Sequence, residues 1–122
     1  MTDKKRLVIL LGHNGNDDKS TVAFTIANAA LSKGDTDVAV FLTSDGVEVS
    51  REGSHDLTHV QPFKKLEELI DNFVEKGGIL WACSPCFQHR GLKQEQTVQR
   101  TIVTGAGPML EWIAAGASTL SL

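Results

Sequence analysis

The chain lacks most of the features that mark a specialised class of protein. Its 122 residues include only two cysteines, and a domain of this length buries enough surface to fold without a disulfide or a metal. A basic excess is also missing, because 12 Lys and Arg stand against 15 Asp and Glu for a net charge of −3. Nucleic acids and anionic membranes are bound by clustered cations, so we expect direct contact with neither.

Long apolar runs are absent as well. The run that follows the basic residues 4–6 spans only residues 7–11, which is too short for the core of a secretory signal or for a membrane span. No internal repeat, linker or low-complexity stretch divides the chain. We therefore predict a single cytoplasmic domain over residues 1–122. In that reducing compartment, a nearby cysteine pair is expected to be catalytic, redox-active or metal-binding.

Aliphatic runs alternate with stretches of helical period along the chain. Strands are predicted over residues 7–11, 37–42, 79–82, 98–104 and 117–122. Helices are predicted from Asp17 or Asp18 to Gly34, from Pro62 to Gly77, in part of the Gln-rich connection after Cys86, and over residues 108–115. The polar segment 48–61 has no clear period. This pattern indicates an α/β fold in which a five-stranded, mostly parallel sheet carries helices on both faces.

The strongest local signal is Cys-Ser-Pro-Cys at residues 83–86, directly after a predicted strand. Ser-Pro is a pair that opens helices, so Ser84 is predicted to cap the next helix and Pro85 to be its first residue. The positive end of that helix favours both thiolates, and His89 and Arg90 add positive or proton-donating character one turn later. A lowered thiol pKa is what a sulfur nucleophile needs near neutral pH.

Two other interpretations of this cysteine pair stay open. Free cysteines are among the most buried side chains, so both could be small apolar residues of a buried turn. Cys83, Cys86 and His89 also have ligand-like spacing, but a structural zinc site needs four ligands and the chain has no second cysteine pair. The fourth ligand would have to come from His13, His55 or His59.

The segment after the first predicted strand superficially resembles a phosphate-binding loop. Residues 12–20 hold Gly, Lys and Ser, but the glycine that such a loop needs directly before its lysine is missing. Asp17 and Asp18 place two negative charges there, so a tight turn is predicted rather than a nucleotide site. We expect no cofactor. His55 and His59 are predicted to be solvated loop residues; the alternative is a cavity lining near the cysteines, where they would move protons.

The assembled pieces resemble the DsrE/DsrF-like sulfur-relay family of small α/β proteins. The resemblance rests on the first strand with its Gly/Asn/Asp loop and Ala-rich helix, on residues 41–47 (Phe-Leu-Thr-Ser-Asp-Gly-Val), and on Ala82-Cys83 followed by Arg90-Gly91. A Gly-Ala segment, a helix and a short strand complete it at the C-terminal end. The resemblance covers nearly the whole chain and implies a flavodoxin-like three-layer sandwich.

The resemblance also implies a function. In this family the sulfur-accepting cysteine follows the third strand and lies seven residues before the Arg of an Arg-Gly pair, which is the position of Cys83. It implies that Cys83 accepts a persulfide sulfur from a donor protein and passes it to the thiol of an acceptor protein. Arg90 would help to hold the anionic sulfur and His89 would assist proton movement, whereas Cys86 would either resolve the persulfide as a disulfide or adjust the acidity of Cys83.

Assembly is implied by the resemblance in the same way. Family members commonly form homotrimers, homohexamers or heterohexamers with related subunits. Two other functions remain open from the residues alone. The chain could be a thiol-disulfide oxidoreductase that uses Cys83 and Cys86, although thioredoxin-like proteins carry such a pair near the start of their fold. It could also be a non-catalytic assembly module in which the cysteines are incidental.

Overall fold

A five-stranded sheet organises the computed structural model of the protein, which describes residues 4–53 and 59–122. The strands are β1 (Lys5–Leu11), β2 (Thr36–Leu42), β3 (Ile79–Cys83), β4 (Thr101–Thr104) and β5 (Ser118–Ser121). Their order across the sheet is β4-β3-β2-β1-β5, and every neighbouring pair is parallel. Because all the strands run the same way, their carboxyl ends lie at one edge, where open α/β sheets bind ligands.

Helices cover both faces of this sheet. They are α1 (Asp18–Ser32), α2 (Leu66–Glu75), α3 (Ser84–His89) and α4 (Gly107–Ala114), with 3₁₀ helices at Ser44–Ser50 and Gln94–Gln96. The chain crosses from β1 to β4 in one direction, so right-handed crossovers place α1, α2 and α3 on the same face. The return from β4 to β5 carries α4 to the opposite face. The predicted flavodoxin-like three-layer sandwich is confirmed.

The two faces hold cores of different size. On the larger one, α1 and α2 pack against the sheet, and the rings of Phe24 and Phe73 meet edge to face with centroids 5.7 Å apart. On the smaller one, Trp81 of β3 meets Trp112 of α4 in the same manner at 5.3 Å. Residues 38–42 of β2 are all buried, which explains why the strand is apolar at each of those positions.

The first helix begins and ends where its residues predict. Asp17 is the N-cap, and its carboxylate accepts a hydrogen bond of 2.9 Å from the backbone N–H of Lys19. The helix ends at Ser32, and Gly34 follows with φ +82°, a left-handed conformation that glycine adopts without steric cost. None of the helices in residues 4–53 and 59–122 combines the length and apolarity that a bilayer crossing requires.

Three predicted boundaries are wrong. Pro62 does not open α2, because Phe63 N–H donates to the carbonyl of Val60 in a turn and the helix starts only at Leu66. The fourth strand begins at Thr101 rather than at residue 98. Thr101 N–H closes a turn on the carbonyl of Val98, which takes the preceding residues out of the sheet.

The third error concerns the polar segment after β2. Its first part is not an irregular loop but the 3₁₀ helix Ser44–Ser50, in which Val47 and Val49 are buried. Val47 and Val49 are closer together in sequence than the apolar residues on one face of an α-helix. The apolar pattern therefore did not predict this helix. Residues 54–58 lie outside the described part of the chain.

Gly46 is the position of this 3₁₀ helix that has no room for a side chain. A Cβ atom there would overlap the backbone carbonyl of Leu11 at the end of β1. We expect Gly46→Ala to lower the free energy of unfolding by about 2 kcal/mol, because backbone atoms must move to admit the methyl group. Urea unfolding followed by circular dichroism measures this. Gly105→Ala is the matched control, since a Cβ at Gly105 meets no atom within 4 Å; equal losses in both variants would contradict the expectation.

Candidate functional site

The end of β2 and the end of β3 form the centre of the candidate site. Leu42 of β2 is paired in register with Ala82 of β3, so the residues that follow them, Thr43 and Cys83, leave the sheet side by side. Cys83 is the N-cap of α3, and Cys86 lies in the first turn of that helix. Both cysteines are free thiols and half-buried. The site is therefore open to a partner molecule and is not sealed in the core.

Two groups at the end of β2 point at one sulfur atom. The backbone N–H of Ser44 donates a hydrogen bond of 3.3 Å to Cys86 Sγ, and Thr43 Oγ1 lies 3.7 Å from the same atom. Hydrogen bonds donated to sulfur stabilise its anionic form. The turn after β2 thus forms a small cradle for a thiolate, which we call the Thr43–Ser44 corner.

The backbone of this corner is held in an uncommon conformation. Ser44 has φ +52°, in the left-handed region that residues other than glycine seldom adopt. Two backbone hydrogen bonds impose the turn: Thr43 N–H donates to the carbonyl of Leu11 at 3.0 Å, and Gly46 N–H donates to the carbonyl of Thr43 at 2.8 Å. The cradle is therefore fixed by the neighbouring strand β1 and by the start of the 3₁₀ helix.

Several groups lower the pKa of the Cys86 thiol. The hydrogen bond from the Cys83 thiol contributes most, and the Ser44 N–H, the Thr43 hydroxyl and the positive charge of Arg90 act in the same direction. Burial opposes them but does not prevail. Cys86 is therefore the cysteine of the pair that carries the negative charge first as the pH rises.

Cys83 behaves in the opposite way. Burial raises the pKa of its thiol, since the side chain packs against apolar residues of both cores at the end of β3. The prediction that both thiols have lowered pKa values is correct for Cys86 and wrong for Cys83. Two sulfur atoms this close cannot both ionise easily, so the pair holds one thiolate and one thiol over a range of pH.

Arg90 lies beside the cysteine pair and also forms an ion pair with a carboxylate. Its guanidinium donates a hydrogen bond of 2.7 Å to the carboxylate of Asp45 in the 3₁₀ helix. The Asp45 side chain is 70% exposed and that of Arg90 is 23% exposed, so the ion pair is solvated on the carboxylate side. Such a pair is held weakly, and an anionic ligand could displace Asp45 from Arg90.

The histidines are spread over the molecule. His89 is exposed at the end of α3. His59 is also exposed, and its ring Nε2 lies 2.9 Å from the carbonyl oxygen of Phe63. His13 pairs with Asp17 at 3.0 Å near the start of α1, whereas His55 lies outside the described residues. Within residues 4–53 and 59–122, no three His, Cys, Asp or Glu side chains are grouped so that they could hold a metal ion.

The sequence did not lead us to the Thr43–Ser44 corner, which lowers the pKa of the Cys86 thiol. It singled out Cys83, Cys86, His89 and Arg90 but gave no role to residues 43–45. A signal was available, because Thr-Ser-Asp follows a fully apolar strand and polar residues at the carboxyl end of such a strand face the ligand-binding edge. What the sequence could not supply is the donation from a backbone N–H, which depends on the φ of Ser44 and not on its side chain.

The fold and site together define a class of protein: a parallel α/β sandwich with a polarised cysteine pair at the carboxyl edge of its sheet. The chain belongs to the DsrE/DsrF-like family, whose sequence profile matches residues 4–122. Membership indicates a connection with sulfur relay at the level of the family.

Two curated relatives come from methanogens. MJ0760 of Methanocaldococcus jannaschii, described as uncharacterized, is 26% identical over 100 residues, which are 82% of this chain and 36% of that protein. The chain thus spans about a third of the length of that relative. MK0008 of Methanopyrus kandleri, also described as uncharacterized, is 26% identical over 96 residues, covering 79% of this chain and 75% of that protein.

Solved structures share the fold over almost the whole chain. The ychN protein from E. coli superposes with a TM-score of 0.80 at 14% identity, covering 98% of this chain and 99% of that one. MTH1491 from Methanobacterium thermoautotrophicum superposes with a TM-score of 0.70 at 20% identity, covering 98% and 100%. At these identities the likeness concerns the fold, and the arrangement of side chains must be argued from this chain.

The Thr43 hydroxyl can be tested without changing the shape of the corner. We expect Thr43→Val to raise the pKa of the Cys86 thiol, because a hydrogen bond to the thiolate is lost, and to slow its alkylation by iodoacetamide at pH 7 about two- to fivefold. Peptide mapping of the alkylated protein reports the rate at Cys86. Thr36→Val, at the opposite end of the same strand, is the matched control and should react at the wild-type rate.

Proposed function

We propose that this protein is a sulfur carrier that holds a sulfane sulfur as a persulfide on Cys83 and passes it to the thiol of an acceptor protein. Family membership supports the connection with sulfur relay. The observation that carries the proposal is the polarised thiol pair, half-buried at the carboxyl edge of the sheet. Such a pair offers a thiolate at a lower pH than an ordinary cysteine does, with a second thiol in contact with it.

Sulfane transfer suits this site because it needs no redox partner. In the loaded protein, Cys83 Sγ carries an outer sulfur atom. The acceptor thiolate attacks that outer atom, a new S–S bond forms to the acceptor, and the bond to Cys83 Sγ breaks with its electron pair left on Cys83. The outer sulfur keeps its oxidation state, so no oxidant or reductant is consumed. Arg90 supports the proposal, since its positive charge favours the thiolate of Cys86, which is hydrogen-bonded to Cys83.

Sulfur loading tests this proposal directly. We expect the wild-type protein, incubated with glutathione persulfide and then desalted, to gain the mass of one sulfur atom in intact-mass spectrometry. Cys86→Ser should reach the same final loading, because Cys83 is intact. After loading, Cys83→Ser should return its sulfur to added glutathione faster than the wild-type protein does, since Cys86 has the lower pKa and is the better leaving group.

The double variant Cys83→Ser/Cys86→Ser is the negative control and should gain no mass. Circular dichroism of each variant shows whether the fold is kept. A sulfur atom retained on Cys83→Ser as firmly as on the wild-type protein would contradict the assignment of Cys83 as the carrier.

A second function is favoured by one observation, the hydrogen bond between the two thiols. Thiols in contact can form a disulfide, so a thiol-disulfide oxidoreductase that uses Cys83 and Cys86 is the alternative. It differs from sulfur carriage in needing both cysteines for every turnover. Reduction of insulin disulfides that is lost in each single variant would favour this function over the carrier.

The partners proposed are a sulfur-donor protein, a sulfur-acceptor protein and further copies of this chain or related subunits. Proteins of this family form oligomers, and we propose a homotrimer or homohexamer, or a heterohexamer. Four large apolar side chains support this, with exposures from 39% to 56%: Ile102, Leu110, Ile113 and Leu120. Leu110 and Ile113 are three residues apart on α4, so they share one face of that helix, whereas Ile102 and Leu120 lie on the two opposite edge strands. Exposed apolar side chains that lie together are typical of protein contacts, so the α4 pair supports the proposal most directly.

Oligomer formation by this surface can be measured by sedimentation velocity. Leu110 is 56% exposed in the single chain, so Leu110→Glu should leave the fold intact and place a charge in the contact. We expect the wild-type protein to sediment as an oligomer and the variant to shift toward the monomer. Glu67→Gln on α2, outside that surface, is the control. A variant that sediments like the wild-type protein would show that α4 is not in the contact.

A further inference from the structure

Two donors of the Thr43–Ser44 corner converge on Cys86 Sγ. The Cys86 N–H and the Thr43 hydroxyl also favour a thiolate at Cys83, but burial outweighs them and raises the pKa of that thiol. Ser44 N–H lies 3.3 Å from Cys86 Sγ and Thr43 Oγ1 lies 3.7 Å from it, and both belong to a turn whose backbone is fixed by β1. Cys83 packs against apolar side chains of both cores, whereas Cys86 packs against those of the larger core. The site therefore has an anionic sulfur position at Cys86 and a neutral one at Cys83.

The charged groups around α3 preserve this difference. Asp45 and Glu48 of the 3₁₀ helix are engaged by arginines, Asp45 by Arg90 at 2.7 Å and Glu48 by Arg51 at 2.9 Å. Of the strands packed on α3, β3 contributes Cys83 itself and β4 (Thr-Ile-Val-Thr) has no titratable side chain. His89 at the end of α3 is exposed, and Arg90, the C-cap of this helix, is a basic residue. No carboxylate of these elements is left to oppose a thiolate at Cys86.

We propose that sulfur enters the pair at Cys86 and then moves to Cys83, so that the two cysteines form an internal relay. The inference rests on the proposed function, in which Cys83 holds the sulfur for delivery. It assigns to Cys86 the role of entry nucleophile and to the Thr43–Ser44 corner the role of positioning it.

In the entry step the Cys86 thiolate attacks the outer sulfur of a donor persulfide. A bond forms between Cys86 Sγ and that outer sulfur, and the donor S–S bond breaks with its electron pair on the donor, which leaves as a thiolate. One negative charge is consumed on Cys86 and one is produced on the donor. The corner favours this step because it raises the fraction of Cys86 that is ionised.

In the second step Cys83 Sγ attacks the same outer sulfur, now on Cys86. The new S–S bond is on Cys83, the old one breaks, and its electron pair returns to Cys86 Sγ in the corner while the Cys83 proton is released. A thiol of lower pKa is the better leaving group, and one of higher pKa is the stronger nucleophile once ionised. The sulfur therefore moves from Cys86 to Cys83, and the corner recovers its thiolate.

The initial rate of sulfur loading tests the relay. Wild-type protein and variants are mixed with glutathione persulfide, quenched with iodoacetamide at short times and mapped by tandem mass spectrometry. At pH 7 we expect Cys83→Ser, whose hydroxyl can still donate a hydrogen bond to Cys86, to take up sulfur on Cys86 at about the wild-type rate. Cys86→Ser should load Cys83 about tenfold more slowly, since burial favours the protonated form of its remaining thiol. The gap should narrow as the pH rises, because an increasing fraction of the Cys83 thiol is then ionised. Protonation of the donor affects all the proteins equally and cancels in the ratio of rates.

The wild-type protein should show sulfur first on Cys86 and later on Cys83. Thr43→Val should slow entry, whereas Thr36→Val should not. If Cys86→Ser loads at the wild-type rate at pH 7 and Cys83→Ser takes up nothing, sulfur enters directly at Cys83; the relay is then overturned and the carrier function stands. If no sulfur loads on the wild-type protein, the carrier function itself fails.

Discussion

The hydrogen bond from Ser44 N–H to Cys86 Sγ is the contact on which the polarity of the site depends. Its donor follows β2 and its acceptor follows β3, so it exists only because these strands are parallel neighbours in one register. A shift of one residue would turn Thr43 and Cys83 to the opposite faces of the sheet. The buried apolar side chains of β2 prevent that shift, since it would move them away from their contacts in the cores.

The same contact depends on β1, which carries no reactive residue. The backbone carbonyl of Leu11 accepts a hydrogen bond from Thr43 N–H and also lies against Gly46. The end of β1 therefore fixes the turn at both of these residues. Ser44 adopts its left-handed φ within that turn, at an energetic cost of about 1 kcal/mol or more that the surrounding hydrogen bonds offset. Backbone conformation of this kind positions an N–H donor more firmly than a flexible side chain would, because no rotamer can swing away.

The large elements of the fold could be predicted because their patterns are long and local. The five strands, α1 and α4 follow from apolar runs and from end signals such as Asp17 and Gly34. The 3₁₀ helix could not be predicted, since its stability comes from Val47 and Val49 inserting into the core rather than from a period. The start of α2 was placed too early because a proline that fits a first helical turn fits a tight turn equally well.

The cysteines themselves were found from sequence, but the difference between them was not. A local argument from the helix start treats Cys83 and Cys86 alike, since both lie near the same positive end. Long-range contacts separate them. Both pack against the larger core, but Cys83 also meets the smaller one, and Cys86 Sγ accepts a hydrogen bond from a turn that comes some 40 residues earlier in the chain. Contacts between residues so far apart in sequence depend on the order of the strands in the sheet. No single segment of the sequence determines that order.

Carrying sulfur and forming a disulfide are competing outcomes of the same geometry. When a persulfide sits on one cysteine, the other can attack its outer sulfur, which moves the cargo, or its inner sulfur, which expels hydrosulfide and leaves a disulfide. In a disulfide, Cys86 Sγ carries no negative charge, so the Ser44 N–H no longer has a thiolate to stabilise. Attack on the outer atom instead returns Cys86 as a thiolate. In the proposed function the corner therefore favours transfer over oxidation, because only transfer restores the anion that its donors stabilise.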